Sequence, residues 1–265
     1  MNQNFIKKYG EWAIVTGSSN GIGRALAIEV AKYGLNVVLV ARSAAKLEKL
    51  SGEIKSQSSV KTRFISMDLS EPGSVDQLIQ QTIDLKIGLL VAAAGFGTSG
   101  PILKTSLSEE LNMIDLNCRS AFEITHWFAN RFAEQKRGGI ILMSSLVGFQ
   151  GVPNASNYAA TKGYIQSLAE GLHFELRPYG VDVLASAPGP VNSGFADRAH
   201  MTMGKAATPE VVARVTIKEL GKNLTIRPGF LSKFLGWSLA LMNRWGRVRV
   251  MQIIMGGMTG GQSKI

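Results

Sequence analysis

The sequence is short of several things, and each shortage closes a class of explanation. Its 265 residues include one cysteine, Cys118, so no disulfide framework can form within the chain. That suits a reducing compartment. Cys118 falls within a helical pattern and reads as a small hydrophobe. No run of about 18 or more apolar residues occurs, so no membrane-spanning helix is expected. The opening MNQNFIKKYGEW lacks the apolar stretch and small-residue cleavage site of a signal peptide, and a cytoplasmic protein is expected. The three histidines, His126, His173 and His200, have no metal-ligand spacing, so no metal is expected. Charged residues make up only 18% and hydrophobic residues 45%, which describes a globular protein with a real core. One shortage is local. After Glu219 there is no acidic residue at all, so seven of the ten net positive charges fall in the last 46 residues.

What is present begins with a repeated alternation. WAIVT (12–16), NVVLVA (36–41), TRFISM (62–67), GLLVAAA (88–94), GIILMS (139–144) and VDVLASA (181–187) are short apolar runs rich in β-branched residues. Each is followed by a helix-length segment. Strands apolar on both faces and separated by helices imply a parallel sheet covered on both sides. Ser43 stands where it could cap one helix, and Thr208 before Pro209 and Glu210 where it could cap another. The fold class expected is α/β, a single doubly wound Rossmann domain with a mostly parallel sheet. Residues 1–228 make up that domain, and 229–265 form an apolar, basic, helical C-terminal extension.

The chemistry-bearing motifs sit at strand ends. Directly after the first run comes TGSSNGIG, in which Gly17, Gly21 and Gly23 frame Ser19, Asn20 and Ile22. A strand, a glycine turn and a helix start let backbone N–H groups approach a pyrophosphate. The second run ends VARS, with no acid until Glu48. An acid there would hold a ribose 2′-hydroxyl; Arg42 stands in its place and suits a 2′-phosphate. That points to NADP(H). The fifth run leads into Ser144 and Ser145, and SNYAATK follows. Of five tyrosines only Tyr158 has a lysine, Lys162, four residues later, on the same helical face. A nearby cation favours phenolate, so Lys162 is expected to lower the Tyr158 pKa. With a serine hydroxyl beside it, the pair makes a proton donor for an oxygen that becomes an alkoxide.

Together these residues resemble the short-chain dehydrogenase/reductase family over roughly residues 10–195, nearest the branch of hydroxysteroid dehydrogenases and long-chain ketoacyl reductases. The family pattern is TGxxxGxG, NNAG, a helical Asn, a Ser thirteen residues before YxxxK, and PG; here stand TGSSNGIG, AAAG (92–95), Asn117, Ser145, YAATK and PGPVNS (188–193). The resemblance implies Tyr158 as acid/base and Lys162 as the group that tunes it and holds the nicotinamide ribose. It implies Ser145 as holder of the substrate carbonyl, and Asn117 as the residue that bends its helix and places a relay water. Asp68 and Leu69 would contact adenine, and Ala93 and Gly95 the adenosine side. Pro188, Gly189, Val191 and Ser193 would lie along the nicotinamide. The family's two asparagines are Ala92 and Ala93 here, a loss that could loosen the site.

The substrate side is read from composition. SGFADRAHMTMGKAA is expected to fold over a lipophilic carbonyl substrate, with Phe195, Met201 and Met203 as an adaptable lid. The helix carrying HWF (126–128) suits packing or a subunit contact, and a homodimer or homotetramer is expected. The tail, with Trp237, Trp245 and Phe234 among interleaved cations, fits either a membrane surface or a packed face. The main reading is an NADP(H)-dependent carbonyl reductase. Its rival is a catalytically weak dinucleotide-binding or regulatory protein of the same fold. The formal charge of +10 also raises nucleic acid, but the apolar tail carries no recognised nucleic-acid motif and none is expected as a partner.

Overall fold

A computed structural model describes residues 3–194, 199 and 206–259. Helix α1 (Gln3–Tyr9) precedes β1 (Trp12–Thr16), α2 (Gly21–Lys32), β2 (Asn36–Ala41), α3 (Ala44–Gln57), β3 (Thr62–Ser66), α4 (Ser74–Gln80) and β4 (Ile87–Ala92). Then follow α5 (Leu107–Ile114), a π-helical turn over Asp115–Ser120, α6 (Ala121–Glu134), β5 (Gly138–Met143), α7 (Ser156–Leu176) and β6 (Val181–Ser186). The last elements are α8 (Pro209–Glu219), β7 (Thr225–Ile226), α9 (Phe230–Ala240) and α10 (Arg244–Met258). The strands form one parallel sheet in the order β3-β2-β1-β4-β5-β6-β7.

The alternation of side chains across each strand feeds two cores. Val15, Leu39, Val91 and Ile141 point to one face, where they meet Leu26 and Val30 of α2, Leu47 and Leu50 of α3, and Val212 and Ile217 of α8. Ile14, Val38, Leu90 and Leu142 point to the other, against Leu78 of α4, Phe128 and Phe132 of α6, and Ile165 and Ala169 of α7. Phe128 and Phe132 are fully buried, each worth about 1.5–3 kcal/mol of transfer from water. A third apolar cluster joins α7 to the C-terminal helices through Val152, Ala155, Ala159, Leu239, Met251 and Met255.

Two details of the fold differ from the sequence reading. The seventh strand, Thr225–Ile226, is only two residues long and carries no apolar run to announce it. It pairs with β6 through Ala185 and Ser186. Ser43 occupies the N-cap of α3 without a side-chain cap bond, whereas the Thr208 hydroxyl accepts from the Val211 N–H at 3.4 Å. All strands being parallel, their carboxyl ends open on one edge of the sheet, and that edge carries the site.

Candidate active site

A cleft of about 670 Å³ lies along that edge. Its floor is the glycine turn after β1. Gly17 has φ of +68°, and a Cβ on Gly23 would fall 2.3 Å from the Gly17 carbonyl oxygen, so bulk at either position would close the turn. Asn20 caps α2, its side-chain oxygen accepting from the Gly21 N–H at 2.8 Å. Ser19 and Ile22 complete this wall.

At the end of β2 Arg42 leans on Asp68 at 3.4 Å, and the guanidinium is mostly exposed. Asp68 also accepts from the Ser70 N–H and hydroxyl, at 3.0 and 2.7 Å. These bonds and Arg42 hold its carboxyl below the usual range against the opposing effect of burial. Lys46, four residues after Arg42 and one turn into α3, reaches the same end of the cleft. The sequence reading missed it, because Arg42 precedes α3 and the spacing alone sets no common face. Leu69, Ala93 and Gly95 line the adjoining wall.

The Thr16 hydroxyl accepts from the N–H groups of both Ala93 and Ala94, at 3.1 and 3.0 Å, and ties the end of β4 to β1. Ala92 is a packed core residue. The main chain at Ala93 and Ala94 is thus held to β1 although neither residue carries an asparagine side chain.

Asn117 stands behind the cleft rather than on its wall. It is buried in the π-helical turn; its side-chain oxygen accepts from the Phe96 N–H at 3.1 Å. Its amide donates to the Phe96 carbonyl at 2.8 Å and the Thr161 hydroxyl at 3.1 Å. The helix departs from α geometry at this residue, and Asn117 joins the loop after β4 to α7.

Ser145, Tyr158 and Lys162 converge at the far end. Ser145 follows β5, and the Tyr158 ring packs beside the third apolar cluster. The Lys162 ammonium donates to the Met143 carbonyl at 2.8 Å and lies 5.8 Å from the Tyr158 ring centre. Burial pushes the Tyr158 phenol up to about 12, opposed by its hydrogen bond with Ser145. Burial likewise pulls Lys162 down to about 8, opposed by Cys118. The lowering of the tyrosine expected from the sequence is therefore reversed. Burial in the site disfavours phenolate and ammonium alike, and at Tyr158 it outweighs the Ser145 hydrogen bond.

The opposite wall comes from the C-terminal helices. Leu235, Met251, Ile254, Met255 and Met258 line the cleft. Helix α9 is fastened to the loop after β6: the Ser232 hydroxyl accepts from the Gly189 N–H at 2.7 Å. Pro188, Val191 and Ser193 lie along that loop, where Val191 bridges to Ala207. The Arg227 guanidinium stacks 4.3 Å from the Phe149 ring centre and passes against Gly236. The sequence reading gave the greasy wall to Phe195, Met201 and Met203, which lie outside the described residues. The spacing of Met251, Met255 and Met258 was the signal for this second wall.

The family model described as short chain dehydrogenase matches residues 11–203. The chain belongs to that family. Over 234 residues this dehydrogenase is 32% identical to a 7beta-hydroxysteroid dehydrogenase of Clostridium sardiniense, covering 87% of this chain and 90% of the relative. It is 32% identical over 240 residues to a very-long-chain 3-oxoacyl-CoA reductase of Macaca fascicularis, covering 89% and 77%. A solved short-chain dehydrogenase from Sphingobium yanoikuyae in complex with NADPH matches with a TM-score of 0.78 at 26% identity, covering 87% of this chain and 93% of that one.

Proposed function

We propose that this chain is an NADP(H)-dependent oxidoreductase that reduces a lipophilic ketone to a secondary alcohol. The observation that carries the reading is the meeting of Ser145, Tyr158 and Lys162 in a cleft with a glycine turn at one end and an apolar helical wall opposite. The residues fit the cofactor. Gly17 and Gly23 leave the turn free of Cβ atoms for a pyrophosphate, and Arg42 and Lys46 bring two cations where a 2′-phosphate would lie. Asp68 and Leu69 would hold adenine, Ala93 and Gly95 the adenosine side, and Pro188, Gly189, Val191 and Ser193 the nicotinamide. The Arg42–Asp68 pair is exposed and worth about 0–1 kcal/mol, so releasing Arg42 to a phosphate costs little.

When bound, the reduced cofactor supplies the hydride. The chain's own residues handle the oxygen. The Ser145 hydroxyl donates to the substrate carbonyl and orients it. The Tyr158 phenol, kept protonated by burial, gives its proton to the oxygen as charge develops there. Lys162, whose proton is held weakly, stands one turn away to return it. Asn117 keeps α7 and the loop after β4 in register for this transfer.

The named relatives supply the substrate classes to try first: hydroxysteroids and 3-oxoacyl thioesters. The methionine-lined wall suits either. A second copy of the chain is the expected partner. Exposed Leu107, Leu111, Ile114 and Phe122 stand among Glu109, Asp115, Arg119 and Glu123, a mixed surface suited to self-association. No helix among the described residues is long and apolar enough to cross a membrane. A reducing compartment, the cytoplasm, and a peripheral position at a lipid surface complete the reading. The test is NADPH oxidation by the purified protein on 7-ketosteroids and 3-oxoacyl thioesters. Turnover on either class, abolished in Tyr158→Phe, supports the assignment. Tight NADPH binding with no turnover on any ketone would return the chain to the regulatory alternative.

A further inference from the structure

The two C-terminal helices carry more apolar surface than the cleft uses. On α9, Ser232, Gly236 and Leu239 are buried and Leu235 lines the cleft. On its other side Phe230, Phe234, Trp237 and Leu241, spaced four, three and four, are between 53% and 87% exposed. Trp245 and Ile253 of α10 add to the exposed apolar surface at 72% and 77%. Eight of the nineteen exposed large hydrophobic side chains among the described residues fall between Phe230 and Ile253. Single exposed apolar residues are ordinary, but a regular stripe this dense marks a contact surface.

Charge decides what it contacts. Lys233, Arg244 and Arg249 are exposed on the same helices, and none has a carboxylate partner among the described residues. The sequence offers no acid after Glu219 to pair them. A second copy seated here about a two-fold axis would bring the unpaired cations of both copies into one interface, with no acid from this segment to neutralise them. The surface around α5 and α6, with charges of both signs, lacks that conflict. An anionic bilayer removes it: headgroups pair the cations, and the interface accepts aromatic rings.

We infer that the outer face of α9 and α10 docks on an anionic phospholipid bilayer, with Phe234, Trp237 and Trp245 entering the interface and Lys233, Arg244 and Arg249 facing headgroups. The inner face of the same helices lines the cleft. A lipophilic ketone dissolved in the bilayer is then separated from Tyr158 by about one helix diameter, ~10 Å. This last step alone rests on the oxidoreductase reading; the docking does not.

The experiment is co-sedimentation of the full chain with vesicles of phosphatidylcholine alone and with an equal part of phosphatidylglycerol. Binding is expected only to the anionic vesicles and is reduced by high salt. Two variants change exposed positions and should fold: Phe234→Ser with Trp237→Ser, and Lys233→Glu with Arg249→Glu. Each should weaken vesicle affinity by roughly tenfold or more. Melting temperature, NADPH affinity and oligomeric state by light scattering should stay as in the parent. Absence of binding to anionic vesicles at low salt overturns the proposal, as does binding that both variants retain. Variants that dissociate an oligomer reassign the face to a second copy of the chain. Because vesicle binding needs no turnover, an inactive protein that still binds would sink the enzymatic reading and leave the docking intact.

Discussion

The cleft has two walls built on opposite principles. One is made of strand ends and tight turns: Gly17 to Gly23, Arg42, Asp68, Ala93 to Gly95, and Ser145. Its shape is set by main-chain geometry and short hydrogen bonds, such as Thr16 to the N–H groups of Ala93 and Ala94. The other is a pair of helices presenting Leu235, Met251, Ile254, Met255 and Met258. It is held by packing, by the Ser232–Gly189 bond and by the Arg227–Phe149 stack. The first wall is fixed by backbone clearance, as at Gly17 and Gly23. The second faces the cleft with flexible apolar side chains. A dinucleotide is the same for thousands of enzymes and a substrate is not, so precision on one side and adaptability on the other is the division expected of a cofactor-dependent catalyst.

The largest effect should come from the junction of the walls. Tyr158→Phe deletes one hydroxyl, leaves the ring in its cluster and removes the proton donor. Ketone reduction should fall by about a hundredfold or more, with NADPH affinity near that of the parent. Steady-state kinetics with a fluorescence titration of NADPH separates the two. Parent-like turnover would detach the first wall from catalysis.

Next comes cofactor choice, which belongs wholly to the strand-end wall. Arg42→Ala should weaken NADPH by roughly ten- to a hundredfold, the worth of one charge-assisted contact of about 1.5–3 kcal/mol, and leave NADH nearly unchanged. Lys46→Ala should move NADPH the same way by less, since Arg42 makes the bidentate contact. Equal losses for both cofactors would make Arg42 structural. The matching change on the helical wall is Met258→Ala. It should raise KM for a bulky ketone by about tenfold or less and leave NADPH affinity alone. A Met258→Ala variant that loses NADPH instead would erase the distinction between the walls.

The same contrast governs what could be read without coordinates. Six strands were legible because each is an apolar-rich run of five or six residues; β7 was not, because two residues paired to Ala185 and Ser186 carry no pattern. Glycines 17, 21 and 23 and the Tyr158–Lys162 spacing were legible because backbone clearance and helical pitch allow little else. Lys46 was overlooked because a lysine on a helix surface is ordinarily solvated, and only the fold brings it beside Arg42. The helical wall escaped for a deeper reason. Met251, Met255 and Met258 form a helical stripe in the sequence, but nothing local says whether such a stripe faces a core, a cleft or a lipid. Direction of the pKa shift at Tyr158 escaped too, since charge spacing is a local property and burial is a global one.

The smallest effect tests that last point. Lys162 ionises at about 8 in the folded chain against an ordinary value of 10.5, because burial disfavours its ammonium. Below pH 8 both folded and unfolded chains hold the proton, and the folded state bears the full desolvation cost. Between pH 8 and 10.5 the folded chain releases the proton while the unfolded chain keeps it. The unfolded state then binds more protons, so this group makes stability rise with pH across that window. Tyr158, raised from 10.0 to about 12, acts above pH 10 and in the opposite sense, so the two do not overlap at moderate alkalinity. Lys162→Met removes the titration and keeps the volume. Moving from about pH 7.5 to about pH 9.5, the melting temperature of the parent should gain on that of the variant by roughly 2–6 °C. Groups that do not interact with Lys162 titrate alike in both proteins and cancel in the difference; the Cys118 thiol, which does interact with it, is pushed up by burial. A gap that stays constant with pH would mean that Lys162 is hydrated or ion-paired in solution. The first turns of α7 would then carry no buried charge, and the upward shift at Tyr158, which rests on the same burial, would have to be given up with it.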